Sequence, residues 1–220
     1  MSIPVVPSKT VSIPGVSSKR LNPFGCLIHP FDGFYAVKEE GKGSLLASGA
    51  IILVFFIATI FKRQSTGYTF NYADLSALNV WLIAAKTIVL YALWVSGNWA
   101  VATWMDGEGK AKQIGIVSAY ALIPYVAAII VSTLLSKVLV QEEGMFLGYI
   151  TSVAMIWSAI LMFIGMLIIH DYGAVRTLQS IALTFAAMGI VVFLAVLFYT
   201  LFQQVYVFIY TIYNELLFRL

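Results

Sequence analysis

The stretch SLLASGAIILVFFIATIF, from Ser44 to Phe61, decides the fold of this chain, because it is apolar almost throughout and carries no charge. A helix needs about 20 apolar residues to cross a hydrocarbon core of about 30 Å. Backbone donors and acceptors in lipid must be satisfied within the segment, as an α-helix does. The stretch therefore predicts a helix that crosses a membrane.

Four later windows have the same character, without the period-two alternation typical of a membrane β-barrel. They run over about Val80 to Trp104, Ile114 to Val138, Met145 to Ile169, and from Thr177 past Phe202. The links between them are short, so neighbouring helices are expected to be antiparallel. We predict an all-α, polytopic membrane bundle of about five transmembrane helices.

The composition indicates that lipid is the solvent for this chain. Hydrophobic residues make up 61% of the sequence and charged residues 10%, whereas soluble domains carry about 25% charged residues. We therefore expect a multi-pass protein of the cell membrane, with the lipid bilayer as a partner. The net charge of +3 comes without a basic stripe among exposed aromatics, so nucleic acid is not an expected partner.

The distribution of Lys and Arg predicts the orientation. The N-terminal tail, the second link and the fourth link together hold more of these residues than the other links and the C-terminus. Since cytoplasmic flanks carry the excess of positive charge, we predict a cytosolic N-terminus and a C-terminus on the outer side.

The chain divides into four predicted regions. Residues 1–28 begin with a stretch rich in Pro and Ser and are expected to form a disordered cytosolic tail. Residues 29–43 are expected to form an amphipathic interfacial helix, and 44–202 the five-helix transmembrane domain. Residues 203–220 are rich in Tyr and Phe, which predicts a C-terminal helix that is either interfacial or an extension of the fifth span.

The segment before the first span carries an aromatic face. Phe31, Phe34, Tyr35 and Lys38 have helical spacing, and Pro30 suits a first helical turn. This pattern favours a short helix on the inner leaflet, whose aromatic rings contact lipid or a partner. The alternative is that the helix packs against the cytosolic ends of the bundle.

The second link, DGEGK, superficially resembles a phosphate loop. A Walker A motif requires a Gly separated by four residues from the Gly-Lys pair, and a Ser or Thr after the pair; here these positions hold Trp104 and Ala111. We interpret the link as a solvated turn, or as a docking loop in which Asp106, Glu108 and Lys110 contact a partner or lipid.

Three residues within the spans are candidates for a structural or functional role. Lys86 lies about 9 Å from the end of its helix, so it is expected to snorkel, to form an ion pair or to contact a substrate. Asn98 is expected to hydrogen-bond to a neighbouring helix. Pro124 removes a backbone donor and should kink the third helix.

Nothing in the sequence predicts catalysis, a cofactor or a metal. The Gly-x-Ser-x-Gly and His-Glu-x-x-His motifs are absent, so we do not expect an enzyme. A metal site made by His29, His170 and Asp171 is the alternative, although no further ligand type converges on them. Cys26 is the only cysteine and is interpreted as an ordinary thiol, with reversible acylation as the alternative.

Three strings together resemble the bacterial branch of the Yip1 family. They are HPFDGFYAVKEEGKGS at 29–44, SGNWAVATWMDGEGK at 96–110 and AYALIPY at 119–125. The likeness covers about 29–202 and implies five helices with a cytosolic N-terminus. Eukaryotic members of the family are Golgi and endoplasmic-reticulum membrane proteins linked to Rab GTPases and vesicle traffic. Bacterial relatives tend to be encoded near sugar ABC transporter permeases. The resemblance therefore implies an accessory role in a complex with such permeases.

Two functions remain open at this point. The first is a non-enzymatic membrane scaffold or accessory subunit of the Yip1 type, which acts through its helix faces, the DGEGK link and the N-terminal amphipathic segment. The second is a channel or transporter for small solutes, with Lys86 and Pro124 along its path. The spans contain no Asp, Glu or His of the kind that proton-coupled transport usually needs, which counts against the second function.

Overall fold

The computed structural model of the protein describes residues 25–71 and 78–219. Two single-turn 3₁₀ helices, Tyr68–Phe70 and Gln141–Glu143, lie in the links. The α-helices are α1 Gly25–Ile28, α2 Pro30–Lys38, α3 Leu45–Ser65, α4 Val80–Trp104, α5 Ala111–Ala121, α6 Ile123–Leu135, α7 Met145–His170 and α8 Ala174–Arg219.

The predicted all-α membrane bundle is confirmed over the described residues. Five helical segments there are long and apolar enough to cross a membrane: α3, α4, α5 with α6, α7 and α8. The tail predicted over 1–28 lies largely outside the description, and its last four residues form α1. The side of the membrane on which each terminus lies stays a prediction.

The third span is the centre of the bundle. About 61% of its apolar window is buried inside the protein, whereas the other four spans reach at most 28%. Every residue of α5 from Ile114 to Ala121 is buried. The helix is held from one side by α4, since the Tyr91 hydroxyl donates to the Gly115 carbonyl at 2.6 Å.

The third span is interrupted at Leu122, which ends α5 and begins α6. Pro124 lies in the first turn of α6, where its missing N–H costs no helical hydrogen bond. The next backbone N–H, that of Tyr125, donates to the Ser158 hydroxyl of α7 at 3.2 Å. A side chain of the neighbouring helix therefore satisfies a donor that the interruption exposes.

The segment before the first span packs onto the bundle. Cys26 of α1 lies against Gly33 of α2, where a side chain would have no room. Phe34 is fully buried in the main core, beside α5 and α7. Its neighbours in the predicted aromatic face, Phe31 and Tyr35, are 59% and 58% exposed.

α8 is a single helix of 46 residues that continues through Gln203 and Gln204 without a break. At 1.5 Å per residue it is about 69 Å long, more than twice the hydrocarbon core. Only its first part packs on the bundle, through the buried Thr177, Ser180 and Thr184. From Gly189 to Phe218 almost every residue is exposed.

Candidate functional site

A polar cluster lies at the end of the bundle where α2, the DGEGK link and the C-terminus of α7 meet; we call it the α2 end. α4 and α7 both terminate here in the same way. Asp106 and Asp171 each adopt a left-handed conformation with φ 56°. The N–H of the following residue then reaches back to the last helical turn, as with Gly107 to the Ala102 carbonyl at 2.8 Å.

Three buried side chains link α7, α4 and α8 beneath this surface. His170 Nε2 lies 2.9 Å from Asn98 Oδ1, and Asn98 Nδ2 donates to the Thr184 hydroxyl at 3.1 Å. Thr184 in turn donates to the Ser180 carbonyl at 2.8 Å. Because Asn98 Oδ1 only accepts, His170 must carry its proton on Nε2. His170 Nδ1 is buried without a hydrogen-bond partner among the described residues.

An ion pair fastens the DGEGK link to α2. Lys38 Nζ lies 2.8 Å from a carboxylate oxygen of Glu108. The Lys38 side chain is mostly buried, while that of Glu108 is 64% exposed. The hydrogen bond to Lys38 and its positive charge lower the pKa of the Glu108 carboxyl. The carboxylate is therefore the favoured form at neutral pH, and the pair persists there.

Gln113 connects the same two elements a second time. Its side-chain N–H group donates to the Lys38 carbonyl at 3.0 Å, which caps the end of α2. Its side-chain oxygen accepts from the Lys110 backbone N–H at 3.0 Å, which starts α5. This capping begins the third span at Ala111, three residues before the predicted start at Ile114.

The turn between α7 and α8 closes the cluster. The Tyr172 hydroxyl donates to the Met105 carbonyl at 3.3 Å, and Arg176 donates to the same carbonyl. The Arg176 guanidinium lies 4.9 Å from the centre of the Tyr172 ring, which in turn stacks on His170. Burial raises the pKa of the Tyr172 hydroxyl, so it remains a donor across the neutral range.

The two glycines of the link allow its backbone to lie directly on this cluster. A Cβ at Gly107 would overlap the Tyr172 hydroxyl, and one at Gly109 would overlap the His170 ring. The backbone of the link therefore covers the buried polar groups at this end of the bundle. Its charged side chains, Asp106 and Lys110 as well as Glu108, remain exposed on the outside.

The predicted site residues fall into separate regions of the molecule. Phe31, Phe34 and Tyr35 share the α2 end with the link, and Asn98 lies beneath it. Pro124 lies deeper in the bundle at the start of α6. Lys86 lies near the opposite end, beside a groove between α3 and α4.

Sequence reasoning missed the role of His170. Its separation of 72 residues from Asn98 hides the contact from any local pattern. No group of three metal-ligating side chains occurs within residues 25–71 and 78–219. The Nδ1 atom of His170 could supply only one metal ligand. The next residue, Asp171, adopts a left-handed backbone conformation.

Five apolar spans, with a covered polar cluster at one end of the bundle, define a polytopic α-helical membrane protein. Residues 24–211 match the Yip1 domain, and the chain belongs to that family. The match includes the three strings that carried the resemblance and extends beyond both ends of the likeness found over about 29–202. No curated protein and no solved structure matches the chain.

Proposed function

We propose that this protein is a non-enzymatic scaffold or accessory subunit of the cell membrane, which acts by contacts with a membrane-protein partner. The observation that carries this proposal is α8. Its part beyond Gly189 is apolar, continuous and exposed, whereas the polar groups at the α2 end are engaged in holding the bundle together. A helix of this kind offers surface rather than chemistry.

The aromatic residues of α8 make its far part suited to protein contact. Tyr206 and Tyr210 stack with ring centroids 6.3 Å apart, and both side chains are more than half exposed. Tyrosine supplies a large contact area with a polar tip and is enriched at interfaces and headgroup levels. The partner that the family resemblance suggests is the permease of a sugar ABC transporter.

The α2 end provides a second contact surface in this proposal. Phe31 and Tyr35 project from α2, while Phe34 anchors the helix in the core. The exposed Asp106, Glu108 and Lys110 lie on the adjacent link. Together they offer aromatic and charged contacts to the inner leaflet or to a partner.

Cross-linking in native membranes, followed by purification in mild detergent, tests the proposal. We expect one membrane protein at a fixed ratio to the chain, and loss of most of it in a Tyr206→Ser, Tyr210→Ser double variant. Tyr68→Ser is the matched control, because Tyr68 is 99% exposed but lies outside α8. A chain that purifies alone as an oligomer and conducts solutes in liposomes would instead support the channel function.

A further inference from the structure

A groove between α3 and α4 lies at the end of the bundle opposite α2. Its volume is about 590 Å³, within the range of about 300–1,000 Å³ found for ligand pockets. Phe55 and Leu90 line its deeper part, and Lys62, Ile83 and Lys86 line the part nearer the end of the bundle. The groove is thus apolar inside and basic at its mouth.

Every charged side chain among the described residues that line the groove is basic. Arg63 also lines the groove, and no Asp or Glu of the described chain is among the lining residues. Neither Lys62 nor Lys86 forms an ion pair with any described carboxylate. Lysine ammonium groups at this depth in a membrane normally reach headgroup oxygens or an acidic partner.

The dimensions of the groove match one leaflet of a bilayer. Phe55 lies ten residues before the end of α3, and Leu90 ten residues after the start of α4. Both therefore lie about 15 Å from that end of the bundle, which is half of a hydrocarbon core of about 30 Å. Lys62 lies one turn from the end, at the level of the headgroups.

We propose that this groove binds an anionic phospholipid. Its phosphate lies between Lys62 and Lys86, and one acyl chain runs along the apolar walls toward Phe55 and Leu90. A free phosphate ion would leave those walls unfilled, and a lipid without net charge would supply no net counter-charge to the two ammonium groups, which pair with no described carboxylate. The combination of charge and apolar depth selects an amphiphile with a negative headgroup.

Lipid titration of the purified full-length protein in mild detergent tests the assignment. Binding of phosphatidylglycerol is compared with that of phosphatidylcholine with the same acyl chains, by native mass spectrometry. We expect phosphatidylglycerol to bind at least tenfold more tightly. Equal binding of the two lipids would overturn the proposal, as would inorganic phosphate that binds as tightly as phosphatidylglycerol.

Charge-removing variants locate the site. Each lysine near an anionic headgroup contributes about a fivefold increase in affinity. Lys62→Gln with Lys86→Gln should therefore weaken phosphatidylglycerol binding about 25-fold and leave phosphatidylcholine binding unchanged. Lys137→Gln is the matched control, because Lys137 lies beside Phe61 at the same end but does not line the groove. An equal loss in the control would contradict the assignment.

A second pair of variants tests the acyl-chain part without altering charge. Thr59 and Thr87 face the groove from α3 and α4. Thr59→Trp should fill it and lower the affinity for phosphatidylglycerol at least fivefold, and Thr87→Trp should do so from the opposite wall. Unchanged binding in a folded variant would show that the lipid lies elsewhere.

Discussion

His170 Nε2 donates to Asn98 Oδ1 at 2.9 Å and ties the last residue of α7 to the C-terminal third of α4. Both side chains are buried, and Asn98 passes the contact on to Thr184 of α8. Three spanning helices therefore meet in one chain of hydrogen bonds. In a bundle held mainly by apolar packing, such contacts fix which helix faces meet.

Replacement of Asn98 by Leu should destabilise the bundle, since it leaves the His170 N–H without its acceptor and the Thr184 hydroxyl without the N–H that it accepts from. We expect a loss of about 1–2 kcal/mol in the free energy of unfolding. SDS-induced unfolding in mixed micelles measures it. Gln203→Leu makes a comparable change at an exposed position of α8 and should have little effect. Equal effects of the two changes would contradict the structural role of Asn98.

Gly109→Ala should loosen the DGEGK link. The added Cβ would overlap the His170 ring and Ile169, and such overpacking typically costs about 1–3 kcal/mol. Hydrogen exchange of residues 105–110 should become faster than in the parent protein. Gly173→Ala is the control, because no atom lies within 4 Å of its added Cβ. If both variants exchange like the parent, the link does not lie against His170.

The contribution of the Lys38–Glu108 pair should depend on pH. The pKa of Glu108 lies below its ordinary value of 4.5 in the folded protein. Stabilisation by the pair is therefore fully present above the ordinary pKa and is lost as the pH falls through the lower, folded-state pKa. The thermal midpoint of Glu108→Gln should lie below that of the parent at pH 7 and approach it in acid. Glu142→Gln, at the opposite end, should show no such convergence.

Cys26 should react slowly with maleimides in the folded protein. Its side chain is buried, and burial raises the pKa of the thiol from 9.0 to about 11. The thiolate, which is the reactive species, is therefore about 100-fold scarcer than in an ordinary cysteine. A Tyr35→Cys, Cys26→Ala variant provides an exposed thiol on the same pair of helices and should label rapidly. Equal labelling rates would show that α1 does not pack on α2.

The number and the approximate limits of the spans follow from the sequence, because length and hydropathy alone determine which segments enter lipid. Pro124 predicts a kink in the third span, since proline removes a backbone donor, and the structure interrupts that span two residues earlier, at Leu122. The burial of each aromatic side chain of α2 could not be predicted from the sequence. Helical spacing places Phe31, Phe34 and Tyr35 on one face, but it does not say that Phe34 enters the core while the others remain outside.

The partners of polar residues could be predicted in kind but not in identity. An asparagine in a span predicts a hydrogen bond to another helix, and Asn98 makes two. The partners depend on which helices pack together, and the linear pattern of an all-apolar sequence carries little information about that. The groove between α3 and α4 could not be predicted either, because Lys62 and Lys86 belong to different helices and only the fold places both of them along it.

Because α5 is enclosed by the other helices, the third span should tolerate amino-acid substitutions less well than the four outer spans. Lipid tails can adapt to almost any apolar side chain on the lipid-facing sides of the four outer spans, so drift in sequence there meets little resistance. α5 has protein on every side from Ile114 to Ala121, and even one added methylene must displace a neighbour. Saturation mutagenesis should therefore reveal an intolerant octet in the centre of a permissive membrane domain.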